Sequence, residues 1–217
     1  MKSNFLEERI KRLNKIGIAL STENNTNKLF EMILEEASHI TNADGRTLYM
    51  KDKDGNLKFE ILRNDSMKTV MGGTSGVDIP FPPVKLINDD GKENHSNVCA
   101  HVALTGKICN IDDAYEEEGF DFSGTIGFDK NFGYRSKSFL NVPLKNHENE
   151  IIGVMQLINA TDTSTGKTIP FSIEMEEQII SLASQGAVAL TNKRLVQELK
   201  TLFEAFIKLI ATAIDRK

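Results

Sequence analysis

Apolar positions along this chain change their period several times, and each change marks an element. Leu6, Ile10, Leu13, Gly17 and Leu20 recur at alternating steps of four and three, the spacing that gathers side chains on one side of a helix. A helix therefore spans residues 1–20. Residues 21–26 offer capping oxygens, and Leu29, Phe30, Ile33, Leu34, Ala37 and Ile40 then set a second amphipathic stripe suited to packing on a sheet. Two β-like runs, 46–51 and 57–62, flank Asp52-Lys53-Asp54-Gly55-Asn56, whose Asp-Gly pair favours the positive φ angles of a tight hairpin. Between 67 and 94, Gly-Gly, Pro-Phe-Pro-Pro and Asp-Asp-Gly clusters break any long element, which leaves loop with one short strand at 84–87.

Residues 96–104 read as a short helix stopped by Gly106, and 108–111 as a short strand after it. A further short helix is predicted over 129–135. Residues 138–144 and 151–160 form a second hairpin, so apolar throughout that its strands must be covered on both faces. From 172 to 217 the pattern is helical and free of proline. Val188, Asn192, Leu195, Leu199, Leu202, Phe206, Leu209 and Ala213 fall on a heptad seam, with Val196, Phe203, Ile207, Ile210 and Ile214 beside it. So wide an apolar face needs more than one partner helix. The expectation is a homodimer joined through its N- and C-terminal helices, with polar Asn192 fixing the register; a helix folded back on its own sheet from Leu195 onward is the simpler alternative. Three units result: an N-terminal helix (1–20), a central domain (21–192) and a C-terminal signalling or coiled-coil helix (193–217).

With 217 residues, 40% of them hydrophobic and 26% charged, the chain has the composition of a single-core globular protein. Its net charge of −5 and lack of a clustered basic face argue against nucleic acid as a partner, since such binding needs Lys and Arg to displace phosphate counterions. Cys99 and Cys109 have no metal-type partner pairs nearby and suit a reducing compartment. The N-terminus lacks the apolar core of a secretory signal, and no run is long and uncharged enough to span a bilayer, so a cytoplasmic location without a membrane segment is expected.

Four runs carry a more specific resemblance: Ala100-His101-Val102-Ala103-Leu104-Thr105-Gly106-Lys107, Asn110-Ile111-Asp112-Asp113-Ala114-Tyr115, Gly133-Tyr134-Arg135-Ser136 and Gly153-Val154-Met155-Gln156-Leu157-Ile158-Asn159. Together they resemble GAF domains of the cyclic-nucleotide-phosphodiesterase type, over about residues 13–192. The resemblance implies an α+β fold: a six-stranded antiparallel sheet with bundle helices on one face, short ligand-side helices on the other, and a long C-terminal helix. It implies a small-molecule-binding regulatory domain, with cyclic AMP or cyclic GMP as ligand and no resident cofactor. Residues 202–217 resemble the segment leading into an HD-GYP domain, a metal-dependent phosphodiesterase of cyclic di-GMP. That implies the regulatory half of a bacterial two-domain enzyme, the present chain itself being non-catalytic.

By the same resemblance, Asp129 and Phe132 match contacts to base or phosphate, and Ser136 matches a hydroxyl near the purine. Val98, Cys99 and Ala100 fall where backbone approaches the ligand, Ala100 replacing a common Gly. Thr47 matches a polar contact, Phe59 a stacking platform, and Gln156 an acidic or amide position. Read as residues alone, Asp129 is equally a helix N-cap and Phe59 a core aromatic, while the amide of Gln156 both donates and accepts and so selects no base. The family's Asn-Lys-Phe-Asp-Glu signature is matched by Asn159, Phe171 and Glu176, but Ala160 and Met175 stand in place of the Lys and Asp. Losing both members of that ion pair leaves no buried charge unpaired. A vestigial pocket in a dimerisation module is thus a second reading. A chromophore or redox sensor is a third, with His101 as metal or haem ligand or, with Cys99, as a bilin attachment site. The acidic run Asp112, Asp113, Glu116, Glu117, Glu118 and Asp121 lacks calcium-loop spacing and reads as a solvated lid loop. Ser123, Ser136 and Cys99 have no recognisable base with an orienting group nearby in sequence, so no catalytic residue is assigned.

Overall fold

One antiparallel sheet organises the computed structural model, which describes residues 14–215. Leu6, Ile10 and Leu13 of the first stripe, and the side chains of Ala213 and Ile214 on the last, lie outside the described residues. The elements run α1 (14–22), α2 (Thr26–Thr41), β1 (Ala43–Lys51), β2 (Leu57–Asn64), β3 (Thr69–Gly72), α3 (Val98–Thr105), β4 (Cys109–Ile111), α4 (Ser123–Phe132), β5 (Phe139–Lys145), β6 (Ile151–Thr161), β7 (Thr168–Ile169) and α5 (Ile173–Asp215). The strands pair in the order β3-β2-β1-β6-β5-β4, and two-residue β7 adds to β6 off that path. The six-stranded expectation holds for the main path.

Local chemistry sets most boundaries. The Asn25 side chain accepts the Lys28 N–H at the start of α2, and Asn42 ends that helix in the left-handed region at φ 48°. Asn97 caps α3 by accepting from Cys99 and Ala100, and Gly106 closes it at φ 65°. In the first hairpin the Asp52 carboxylate accepts the N–H groups of Asp54 and Asn56.

Alternation along the strands then sorts residues between two layers. Leu48, Leu140, Val142, Met155 and Leu157 face one side, where they meet Leu29, Ile33, Leu34 and Ala37 of α2 and Ile179, Leu182, Ala183 and Ala187 of α5. Tyr49, Phe139 and Val154 face the other, toward α3. A β-bulge between Leu48 and Tyr49 shifts their partners from Ile61 to Phe59, so Glu60 is the extra residue on β2. The bulge reverses the alternation: Leu57 belongs to the α3-side cluster, whereas Ile61 belongs to the helix-side core.

The structure departs from the sequence expectation in three places. β3 occupies 69–72, read above as loop, while 84–87 contributes only the isolated bridges Leu57↔Val84 and Ile87↔Glu93. β3 is four residues long, ending at Gly72 and followed by Gly73, both at positive φ, so the breakers that mark its limit also hide it. β7 is a two-residue pairing with no local signal of its own. The helix expected at 129–135 lies at Ser123–Phe132 and stops at Gly133, φ 64°. Its N-cap is Phe122, whose side chain makes no capping bond, while Asp121 one residue earlier accepts the Ser123 N–H; the start signal is thus displaced.

Helix α5 runs 43 residues, roughly 65 Å at 1.5 Å per residue. Only its first half packs on the sheet. Leu199 is 67% exposed and Leu209 68%, so the helix does not fold back beyond Leu195.

Gly153 tests how tightly β1 and β6 are apposed: a Cβ there would sit 2.2 Å from the Tyr49 carbonyl oxygen. Gly153→Ala is expected to cost about 1–3 kcal/mol, the usual range for overpacking, read as a lowered urea midpoint with an unchanged slope.

Candidate functional site

On the sheet face opposite α2 and α5 lies a cavity of about 680 Å³, bounded by β1, β2, β3, β6, the first turn of α3, α4 and the loop at 80–82. That volume is in the range typical of small-molecule sites, roughly 300–1,000 Å³. Its walls are largely apolar and include Tyr49, Phe59, Phe122, Phe139 and Ile158. Phe81 reaches in from the loop, its ring centroid 5.7 Å from that of Phe59. At the other side Phe128 and Phe132 on α4 lie 4.6 Å apart, and Phe132 is 62% exposed. Because of the bulge on β2, both Phe59 and Leu62 border this space despite their odd separation.

Beneath the walls sits an uncharged polar network. The Tyr49 hydroxyl donates to Gln156 Oε1 at 3.2 Å, and Gln156 Nε2 donates to Asn141 Oδ1 at 2.9 Å and to Cys99 Sγ at 3.1 Å. Asn141 Nδ2 is buried without a hydrogen-bond partner among the described residues. Both ends of the Gln156 amide are therefore committed to the protein, which limits its availability to a ligand edge. Burial pushes the Cys99 thiol up to about 12 and the Tyr49 hydroxyl well above its ordinary value. Cys99 stays protonated at neutral pH and does not have the thiolate character that nucleophilic attachment chemistry needs.

Asp129 plays a different part from either of its two expected ones. It sits in the last half of α4, 1% exposed, and is not an N-cap. Its carboxylate accepts the Ser136 N–H at 2.7 Å, the Ser136 hydroxyl at 2.9 Å and the Tyr115 hydroxyl at 3.0 Å. This clamps the 133–136 turn beneath α4. Arg135 extends the clamp outward, with its guanidinium 3.3 Å from the Tyr115 ring centroid and a 2.6 Å bond to Asp113. The acidic run is thus tied down at Asp113 and, through its helix-start bond, at Asp121.

The signature residues lock the sheet edge. Asn159, at φ 59°, accepts the Lys137 N–H at 2.7 Å and donates to the Arg135 carbonyl at 2.8 Å and the Tyr134 hydroxyl at 3.0 Å. Tyr134 in turn donates to Asp44 at 2.6 Å, and burial together with that bond raises its hydroxyl above its ordinary value. Phe171 is buried in the helix-side core, and Glu176 accepts from Asn110 at 2.8 Å. Ala160 belongs to the same apolar core, and Met175 packs against it. Where the signature has an ion pair, this chain has apolar contact.

Thr47, Phe59, Val98, Cys99, Phe132, Ser136 and Gln156 all border the cavity. Ala100 is fully buried in the α3-side cluster and, like Asp129, does not border it. Sequence reasoning missed Asn97, Tyr134, Phe122 and Phe128, which do. Tyr134 stood inside a quoted motif, and Asn97 was legible as a helix-capping residue. Arg46 and Arg63 also reach the cavity border, but their guanidinium groups pair elsewhere: Arg46 with Ser38 and, at 2.6 Å, Asp65; Arg63 with the Met71 carbonyl and, at 3.1 Å, Glu31.

Comparison with protein families matches the GAF domain over residues 25–190. The chain belongs to the GAF-domain family. A GAF domain is a small-molecule-binding regulatory module. The crystal structure of the GAF domain from Acinetobacter phosphoenolpyruvate-protein phosphotransferase superposes with a TM-score of 0.58 at 14% identity, covering 88% of this chain and 98% of that one, which shows the shared fold. In sequence, 62 residues of this GAF domain are 42% identical to dual 3',5'-cyclic-AMP and -GMP phosphodiesterase 11 of Drosophila melanogaster. A stretch of 66 residues is 39% identical to dual 3',5'-cyclic-AMP and -GMP phosphodiesterase 11A of Takifugu rubripes. These stretches are 29% and 30% of this chain and span only 4% and 7% of the two enzymes. Among the described residues no helix is long and apolar enough to cross a membrane.

Two measurements probe this arrangement. Ala160→Lys alone buries a charge without its partner and is expected to cost on the order of 3–5 kcal/mol, whereas Ala160→Lys with Met175→Asp recovers part of that loss; equal melting points for the single and double variants would remove the pairing argument. The Cys99 value is raised in the folded state, so its contribution to stability is complete below its ordinary value of 9.0 and is lost as pH rises toward about 12. At pH 8, iodoacetamide is expected to modify half-buried Cys109 well before Cys99, as read by peptide mass spectrometry.

Proposed function

We propose that this GAF domain senses a cyclic nucleotide, cyclic AMP or cyclic GMP, in the cavity above β1 and β6 and passes its occupancy through paired α5 helices to an output domain of the HD-GYP phosphodiesterase type. The observation that carries the reading is the cavity itself, roomy enough for a nucleotide and bordered by Thr47, Phe59, Val98, Cys99, Ser136 and Gln156. Aromatic walls suit a purine. Gly124 and Thr125 border the cavity in the first turn of α4, a helix start without a side-chain cap and of the polarity that favours a phosphate. The identity shared with the two dual-specificity phosphodiesterases supports the same ligand class. For transmission, Leu195, Leu199, Leu202, Phe206 and Leu209 stay exposed along one seam, a surface suited to a second copy of α5 in a cytoplasmic homodimer.

One set of observations favours a second reading, a dimerisation module whose pocket has lost its ligand: both ends of the Gln156 amide are taken up by Tyr49, Asn141 and Cys99, and the bordering arginines are engaged elsewhere.

Calorimetric titration with cyclic AMP and cyclic GMP separates the two. The expected outcome is saturable heat and a rise in melting temperature, worth about 2.7 kcal/mol when ligand exceeds its dissociation constant a hundredfold. No heat and no rise at millimolar concentration leaves the dimerisation reading. Sedimentation of wild type and Leu199→Asp then tests transmission, with a dimer expected for the first and a monomer for the second.

A further inference from the structure

The segment leading into α3 holds an arrangement that the nucleotide reading does not use. His95 Nδ1 and His101 Nδ1 lie 3.1 Å apart, with ring centroids separated by 5.1 Å and planes at 68°. On its far side, His95 Nε2 is 2.8 Å from a carboxylate oxygen of Glu93. We infer that His95 and His101 form a two-histidine binding site for zinc, with Glu93 as the outer carboxylate that orients His95.

Three features point this way. With Glu93 accepting from Nε2–H, the lone pair of neutral His95 is placed on Nδ1 and faces His101. A carboxylate on the outer nitrogen is the usual second partner of a metal-bound histidine, fixing its tautomer and raising its basicity. Tetrahedral zinc at about 2.0–2.1 Å from each nitrogen needs the two ligand atoms roughly 3.3 Å apart, within a few tenths of an ångström of the separation already present. The proton shared between the two Nδ1 atoms moves to His101 Nε2 when the metal enters, so both imidazoles remain neutral and no net proton is released. Water completes the coordination, since no group of three or more His, Cys, Asp or Glu side chains is placed to hold a metal among the described residues.

Surroundings set the strength. His101 packs edge-on against Phe120, with centroids 5.4 Å apart, which holds its ring. Burial, then His95 and Lys107, disfavour positive charge on His101, and Glu93 pairs with His95 on the far side. Position gives the site a consequence. His101 donates its backbone N–H to Asn97, and the Ser96 carbonyl accepts the Asp121 N–H just before α4, so a metal here would fasten the segment whose Asn97, Val98 and Cys99 border the cavity.

The test is calorimetric titration of the full, tag-free chain with zinc chloride in a non-chelating buffer at pH 7.5, alongside thermal melts with zinc and with EDTA. One zinc per chain and a zinc-dependent rise in melting temperature are expected. His95→Gln and His101→Gln should each weaken binding at least tenfold and abolish the rise, Glu93→Gln should weaken it roughly 10–100-fold, and the double Cys99→Ser/Cys109→Ser variant should bind like wild type. Circular dichroism of the metal-free variants confirms that each is folded. Zinc binding unchanged by either histidine substitution, binding lost only with the cysteines, or no heat at about 100 µM zinc would each overturn the assignment.

Discussion

Everything in this molecule hangs on the placement of β6 between β1 and β5. Its backbone pairs with both, joining two hairpins that are distant in sequence, and Gly153 lets it approach β1 so closely that no side chain fits between. Side chains on this strand alternate between two environments that share no atoms. Met155 and Leu157 fill the layer under α2 and α5, while Gln156 and Ile158 border the cavity. A one-residue slip would exchange the two sets and put an amide into the helix-side core. The register is therefore set by the incompatibility of the two faces, and the cavity inherits its geometry from that choice.

The roof of the cavity follows from a second constraint, the burial of polar groups that must find partners. Asp129 is a carboxylate removed from solvent, and three donors from Ser136 and Tyr115 make that position tolerable. Asn159 serves the same segment from the sheet side, where its left-handed backbone turns the amide toward the carbonyl of Arg135 and the N–H of Lys137. Between them these two side chains fix the 133–137 turn. α4 itself buries little apolar surface, and Asp129 is its one fully buried residue. The roof is held by hydrogen bonds more than by packing, a construction that opens at lower cost than the helix-side core beneath it.

How much of this was legible in the sequence divides along the length of each element and the range of its interactions. Stripes on α2 and α5, the Asp52–Gly55 turn and the Gly106 stop of α3 are local patterns, and they placed their elements within a few residues. β3 and β7 each pair with the strand just before them, β2 and β6, but at four and two residues they are too short to show an apolar period, so composition gave no sign of either. Asp129 was recognisable as important, but its role depends on Ser136 seven residues later and Tyr115 fourteen earlier, which spacing alone does not connect. The bulge opposite Leu48 likewise has no signature in sequence, although it decides that Phe59 and Ile61, two residues apart, lie on opposite faces. The cavity residues named from the sequence, on the strands (Thr47, Phe59, Gln156) and on the roof (Phe132, Ser136) alike, came from the family resemblance and not from alternation.

The same two-faced sheet explains why a ligand site and a long helix belong in one domain. α5 packs on the core through Ile179, Leu182, Ala183 and Ala187, and at Gly186 a Cβ would stand 2.8 Å from Ile33 of α2. Contact that close leaves the helices no slack, so their relative position responds to the strands beneath them. Each cavity residue on β6 is one peptide away from a residue under α5. An occupant that draws Gln156 or Ile158 toward itself acts through that peptide on Met155 and Leu157, and the effect on α5 is limited by how differently the occupant binds the two strand positions. Beyond Leu195 the helix carries its apolar seam into solvent, where, in the proposed dimer, a small rotation at the core would change which side chains meet the helix of the second copy. In the proposed signalling role the sensitivity of such a device lies in the β6 register and the α2–α5 contact, and so a substitution at Gly186, which does not border the cavity, would disturb transmission while leaving the cavity lining in place.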